Sequence, residues 1–261
     1  MIPALLLMAA LPVSDWQPLF ETLPAKVRGW RSGQGDIRTV PSLVTEDLFA
    51  GLRYRDFEFE VEYKVAPGGN SGIRYLPLPG RRAGLGRAAA FFVALCLAVL
   101  LLLRRRRRTA LLASAVLLAG FGGVLLWLKW HPLALEFQIL DNAGHRDGKR
   151  GPLYRAGALY GLCPAAEDAS RPAGEWNQAR VVICGARIEH WLNGRKVVDC
   201  DMSTRQHRLA RERFFGSGWR LLYSRAEWER LGLDRPSTVG LQHHGEQVWF
   251  RRARIRELSC Q

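Results

Sequence analysis

The sequence predicts an all-β chain folded as an antiparallel sandwich and interrupted by a two-helix transmembrane hairpin. Three observations carry that expectation. Gly174 to Asp201 holds three apolar-alternating runs separated by two tight turns. Phe57 to Val65 alternates apolar and charged residues without a break. Between these segments, two long uncharged stretches flank five consecutive arginines, Arg104 to Arg108.

Taken in order, Met1 to Val13 is almost wholly apolar. It is too short to span a bilayer and reads as the core of a signal peptide over residues 1–14, with a buried N-terminal strand as the alternative. Residues 15–80 supply the first part of the sandwich. Asp15 to Pro41 is poorly patterned. In the next segment Phe57, Phe59, Val61, Tyr63 and Val65 share one face, while Glu58, Glu60, Glu62 and Lys64 share the other. That is a half-buried strand with a solvated face. Pro67-Gly68-Gly69-Asn70 turns the chain, and Ser71 to Leu76 begins another strand.

Residues 81–132 read as the inserted hairpin, with helices at about 88–103 and 109–128. At 1.5 Å per residue these are roughly 24 and 30 Å long, against a hydrocarbon core of about 30 Å. Flanking arginines can snorkel, and the arginine tip is expected to stay on the cytoplasmic side, leaving the sandwich outside. Ala90, Ala94 and Ala98 recur every fourth residue, as do Ala115, Ala119 and Gly123. Such small-residue stripes are expected to form the contact between the two helices.

Residues 133–261 complete the sandwich. Leu133 to Leu140 is a strand in which Glu136 and Gln138 share a face. Ala179–Cys184, Arg187–Leu192 and Arg195–Asp201 form a meander turned by Gly185-Ala186 and Asn193-Gly194. Asn-Gly tolerates the positive φ that both central positions of such a turn require. Thr204 to Arg235 mixes helical and loop character. Thr238–His243 and Gln247–Leu258 read as a closing hairpin around His244-Gly245.

A formal net charge of +14 raises nucleic acid as a partner. Five of those charges sit in the arginine run and the rest are scattered without a nucleic-acid motif, so no such partner is expected. Cys96 lies in an apolar stretch, and the four other cysteines, Cys163, Cys184, Cys200 and Cys260, allow three pairings. With two-residue turns, Cys184 and Cys200 both lie opposite Arg187, about 10 Å apart. A disulfide needs Cα atoms within roughly 7 Å, which disfavours that pairing. No cysteine has metal-ligand spacing, so neither a metal nor a cofactor is expected.

Five blocks in order carry a family resemblance. They are Tyr54 to Tyr75 (YRDFEFEVEYKVAPGGNSGIRY), Leu135 to His145 (LEFQILDNAGH), Gly157 to Leu162 (GALYGL), the stretch holding GEWN and RIEHWLNG, and Val239 to Gly245 (VGLQHHG). From about Leu43 to Leu258 the chain resembles the 3-keto-disaccharide hydrolase family. The resemblance implies a laminin-G/concanavalin A-like sandwich. The opening DWQPLF and GW match the family with a shortened strand after them, and the helical hairpin departs from it.

No serine nucleophile elbow, phosphate loop, dinucleotide fingerprint or HExxH is present. An enzyme here must therefore rest on acid–base groups. By alternation alone, His190 is as readily a strand residue, Glu136 and Gln138 a wet sheet face, and Trp191 core. The resemblance singles out Glu136, Gln138 and Asp141 in one block, His190, Trp191 and Asn193 in a second, and Gln242 and His244 in a third. It implies cleavage of 3-keto-glycosides: the ketone acidifies C2–H, a base removes that proton, the C1 oxygen departs, and water adds back. His190 and His244 are the expected acid–base pair, with Glu136 and Asp141 assisting. Gln138, Arg74, Gln242, Trp191, Asn193 and His145 are the expected substrate-binding set. The resulting expectation is a membrane-tethered, extracytoplasmic enzyme acting on a small carbohydrate. The alternatives are a non-catalytic carbohydrate-binding sandwich and an interaction domain whose site has decayed.

Overall fold

Strict alternation makes the central strand. Phe57–Val65 buries its five apolar residues and turns its glutamates the other way. The computed structural model describes residues 15–21, 23, 27–33, 35–43, 45–76, 82–102, 106–130, 134–215 and 236–260. In them the strands, in chain order, are β1 Gln17–Pro18, β2 Trp30–Ser32, β3 Ile37–Thr39, β4 Leu48–Phe49, β5 Phe57–Val65, β6 Asn70–Tyr75, β7 Leu135–Leu140, β8 Asn177–Cys184, β9 Arg187–Leu192, β10 Arg195–Asp201, β11 Val239–Leu241 and β12 Val248–Glu257. The larger sheet runs β10-β9-β8-β5-β12-β3-β2, with β1 also on β12; the smaller runs β4-β11-β6-β7. Every strand pairing is antiparallel.

Between the two sheets lies one core. Phe57, Phe59, Val61 and Tyr63 of β5 share it with Ile73 and Tyr75 of β6, Phe137 and Ile139 of β7, and Leu241 of β11. Each such side chain stabilises the fold by about 1.5–3 kcal/mol through burial. The outer face of the larger sheet is an ion-pair ladder. Glu58 holds Arg180 and Arg256, Glu60 holds Arg254, and Glu62 holds Arg251 and Arg252. Arg180 lies over Trp191, Arg251 over Trp176, and Lys64 over Trp249.

The meander forms as its turns require. Asn193 and Gly194 both take positive φ, 52° and 81°, and Arg195 faces Leu192. A bulge between Lys196 and Val198 then shifts the register by one, so Cys200 faces Ile188 rather than Arg187. The cysteines pair as Cys163–Cys200 and Cys184–Cys260.

Two sequence expectations for the C-terminal half are corrected. β11 and β12 do not form a hairpin: β11 belongs to the smaller sheet and β12 to the larger. His243 to Gln247 carries the chain across the sandwich, so no register exists between the two strands. Of Thr204 to Arg235, Arg205–Phe215 is helical, α3; residues 216–235 lie outside the described residues, as does the expected leader, 1–14.

The transmembrane hairpin is also corrected. Two helices, α1 Arg82–Leu102 and α2 Arg107–Trp130, do occupy the insertion. They leave and return at neighbouring strand ends, since Tyr75 faces Leu135. Among the described residues, however, no helix is long and apolar enough to cross a membrane. The uncharged run in α1 is about 24 Å long, short of a hydrocarbon core of about 30 Å. In α2, Thr109, Ser114, Gly120, Gly122 and Gly123 dilute the apolar side chains. The small-residue stripes are not the helix contact either. Ala90, Ala94, Ala98, Ala115, Ala119 and Gly123 are all exposed. Phe92 and Phe121 stack at 4.4 Å instead, and the Cys96 thiol approaches the Ser114 carbonyl at 3.9 Å. Large side chains reach across the gap and bury more apolar area than alanines would.

Candidate active site

The outer face of the smaller sheet collects the polar side chains. Period-2 alternation turns Leu135, Phe137 and Ile139 inward and leaves Glu136 and Gln138 facing out. Register then places Arg74 directly beside Glu136, and Gly72 beside Gln138. Gln242, just past β11, donates its backbone N–H to the Gly72 carbonyl and its Nε2 to Glu136 Oε2 at 3.4 Å. With its amide turned to suit its neighbours, Gln138 donates to Glu136 Oε1 at 3.1 Å and to the Ser71 carbonyl at 3.2 Å. Arg74 is paired at 2.7 Å with Asp47, both nearly buried. Gly72 makes room for the carboxyl: a Cβ there would stand 2.8 Å from Glu136 Oε1.

This setting pushes the Glu136 carboxyl up to about 7. Burial is the largest cause; the Arg74 charge opposes it, and the Asp47 and Asp147 charges reinforce it. Part of the side chain remains open to solvent. A carboxyl near half-ionised at neutral pH, held by two amides and open on one side, can both take and return a proton. On the rim, Tyr160 donates to Asp147 at 2.9 Å and its backbone N–H donates to the Glu136 carbonyl. Burial and hydrogen bonding to Asp147 push the Tyr160 phenol up to about 12.

The structure therefore brings together Glu136, Gln138, Arg74 and Gln242. It does not bring His190 to them. His190 faces inward between the sheets and is fully buried. Its Nε2 meets the Tyr75 hydroxyl at 2.6 Å and its Nδ1 the Gly157 carbonyl at 2.8 Å. Burial lowers it to about 4, so it stays neutral. Both nitrogens are committed to core partners, which corrects the expectation that His190 performs acid–base chemistry on a bound sugar. Trp191 is corrected too: one position along, it points to the outer face of the other sheet, under Arg180.

Asn193 is a turn residue. It donates to the Ala169 carbonyl and to Asn177, and accepts from the Gln178 N–H. Asp141 accepts the N–H groups of Gly68 and Ala143, and backbone donors of this kind hold its carboxyl below the usual range against the cost of burial. These bonds tie it to the turn at Gly68 and to its own loop. His145 accepts the Asp147 N–H and so fixes a rim residue. His244 is exposed, two residues beyond Gln242, with Nδ1 3.4 Å from Glu246.

Alternation on β7 did not reveal Asp47, Asp147, Tyr160 or Gly72. Tyr160 and Gly72 lie inside two of the resembling blocks, and that was the available signal. A cleft of about 740 Å³ lies elsewhere, on the larger sheet between β1, β3 and β12. Size alone does not place the chemistry there. Among the described residues, one group has metal-ligand geometry, Cys163, Cys200 and His207. The two sulfurs are joined to each other and offer no thiolate to a metal.

Residues 116–256, more than half the chain, match the family of 3-keto-alpha-glucoside-1,2-lyase-like domains. A 3-keto-disaccharide hydrolase of Bacteroides thetaiotaomicron is 27% identical over 217 residues, which cover 82% of this chain. The chain spans only 62% of that relative's length. Two solved structures of candidate glycosyl hydrolases from Parabacteroides distasonis share the fold. One is 22% identical with a TM-score of 0.57, covering 94% of this chain and all of the other. The second is 20% identical with a TM-score of 0.58, covering 89% and 85%.

Proposed function

The chain belongs to the 3-keto-alpha-glucoside-1,2-lyase-like domain family, and from that premise we propose that it cleaves the glycosidic bond of 3-keto sugars by elimination and hydration, with Glu136 as the principal acid–base group. The observation that carries this reading is the Glu136 carboxyl, pushed up to about 7 in a niche of Arg74, Gln138 and Gln242. The name of the Bacteroides relative supports the substrate class.

In the proposed reaction Glu136 takes the C2 proton of a 3-keto sugar. The electron pair moves toward the C3 oxygen, then returns as the C1–O bond breaks, leaving a C1=C2 double bond conjugated with the ketone. The departing oxygen gains a proton, water adds at C1, and C2 regains a proton. Arg74 offers positive charge to the developing enolate oxygen, and Gln138 and Gln242 hold the carboxylate in position. His244, exposed just beyond Gln242, is the proposed donor to the leaving oxygen. Two disulfides support placing the domain in an oxidising, extracytoplasmic compartment.

Incubating the purified chain with a 3-keto-disaccharide and following released monosaccharide tests this. Glu136→Gln should lower kcat by about 10²–10⁴, the usual contribution of one acid–base group. His244→Ala should lower it less. Unchanged turnover in Glu136→Gln, or no turnover in the parent protein, would overturn the proposal.

A further inference from the structure

The cleft on the larger sheet has the features of a second binding site. It opens where β12 lacks an edge partner. β3 reaches along β12 only to Phe250, and the β1 segment joins it only from Ala253 on, where the Ala253 carbonyl accepts the Leu19 N–H, leaving Arg251 and Arg252 between them. A bulge at the same place lifts β12 from β5. Bulges recur beside functional sites because they re-aim side chains. Two lining residues hold a left-handed backbone that is unfavourable for their type, Phe20 at φ 61° and Arg252 at φ 53°. Such conformations persist where surrounding structure enforces them and cluster at ligand sites.

The lining chemistry indicates the ligand. Asp36 is a partly exposed carboxylate of the lining, with its Oδ1 tucked against Gly33. In the same lining, Glu62 is held by Arg251 and by the exposed Arg252, and Gln178 offers an exposed amide. Carboxylates and guanidinium groups alternate around the cleft without a dominant sign, which disfavours a strongly charged ligand. A volume of about 740 Å³ falls within the range of small-molecule sites. We infer that this cleft binds a neutral, hydroxyl-rich ligand, a short oligosaccharide, on the opposite layer of the sandwich from Glu136. The inference is independent of the reaction proposed for Glu136.

Saturation-transfer NMR and calorimetry on the full chain test it, with unoxidised maltose, cellobiose, lactose and sucrose as probes and inorganic sulfate as competitor. At least one sugar should bind the parent protein and Glu136→Gln alike, unaffected by sulfate. Arg252→Gly, which suits the positive φ and so spares the fold, should weaken binding roughly tenfold, the loss of one charge-assisted hydrogen bond. Asp36→Asn should act in the same direction, and thermal melts confirm that both variants fold. Three results would each overturn the inference: no probe binds; binding persists undiminished in both cleft variants; or binding is lost in Glu136→Gln or displaced by sulfate.

Discussion

Replacing Glu136 with glutamine should stabilise the protein while removing its activity, and the gain should depend on pH in a defined way. A folded-state carboxyl pushed from 4.5 up to about 7 favours folding when protonated and opposes it when ionised. Between those values the folded chain binds the extra proton, so this group's contribution falls as pH rises from about 4.5 to 7. The full cost at pH 8 is about 3 kcal/mol. The Glu136→Gln change removes that cost but turns one amide donor toward Gln138 or Gln242, which costs about 1 kcal/mol. The net gain at pH 8 is thus about 2 kcal/mol, or about 4–8 °C in Tm for a domain this size. Below about pH 4.5 the gain should give way to a loss of about 1 kcal/mol, the amide cost alone.

His190 works in the opposite sense. Lowered from 6.5 to about 4 by burial, it contributes stability that is complete above about pH 6.5 and is lost as pH falls toward 4, again about 3 kcal/mol. In the parent protein the two slopes oppose each other between about pH 4.5 and 6.5. In Glu136→Gln only the histidine slope remains, so variant stability should climb steeply over that interval. Urea denaturation of both proteins at a series of pH values measures the difference, and contributions of other carboxylates cancel in it. A variant less stable at pH 8, or a difference that does not change with pH, would refute the assignment of Glu136 as a raised, strained carboxyl.

Gly72→Ala should fold, since its neighbour is a side chain that can move, yet lose at least roughly tenfold in kcat as the new Cβ displaces the Glu136 carboxyl. Steady-state kinetics beside a thermal melt separate the two effects. Arg74→Gln removes the charge that opposes the rise of Glu136, so the basic group in the pH–rate profile should move to higher pH. Loss of the partner of nearly buried Asp47 should also cost about 3–5 kcal/mol. Reduction should lower Tm strongly. Cys163–Cys200 and Cys184–Cys260 are separated by 37 and 76 residues, and the chain-entropy relation assigns each loop about 4 kcal/mol; calorimetry of Cys163→Ser and Cys184→Ser checks each one.

Local pattern determined the longer strands and the meander turns, but not the short strands β1, β2 and β3 within Asp15 to Pro41. β5 follows from strict alternation, the second meander turn from Asn193-Gly194, and the shared face of Glu136 and Gln138 from a side-chain period of two. Alternation left His190 an ordinary strand residue and read Trp191 as core, whereas in the structure His190 shares the buried face of β9 with Ile188 and Leu192. The resemblance alone had placed His190 in the site. Other features depend on long-range contacts that no local pattern encodes. Arg74 reaches Glu136 only because β6 pairs with β7 across the helical insertion. Gln242 reaches it only because β11 joins the smaller sheet instead of folding back on β12. The charges of Asp47 and Asp147 act on Glu136 through space. Apolar runs located the helices α1 and α2, but which side chains join them depends on reach, and Phe92 and Phe121 meet where the alanine stripes do not. Alternation along a strand assigns side chains to faces; only the pairing of distant strands decides which faces meet and what electrostatic environment each buried group receives.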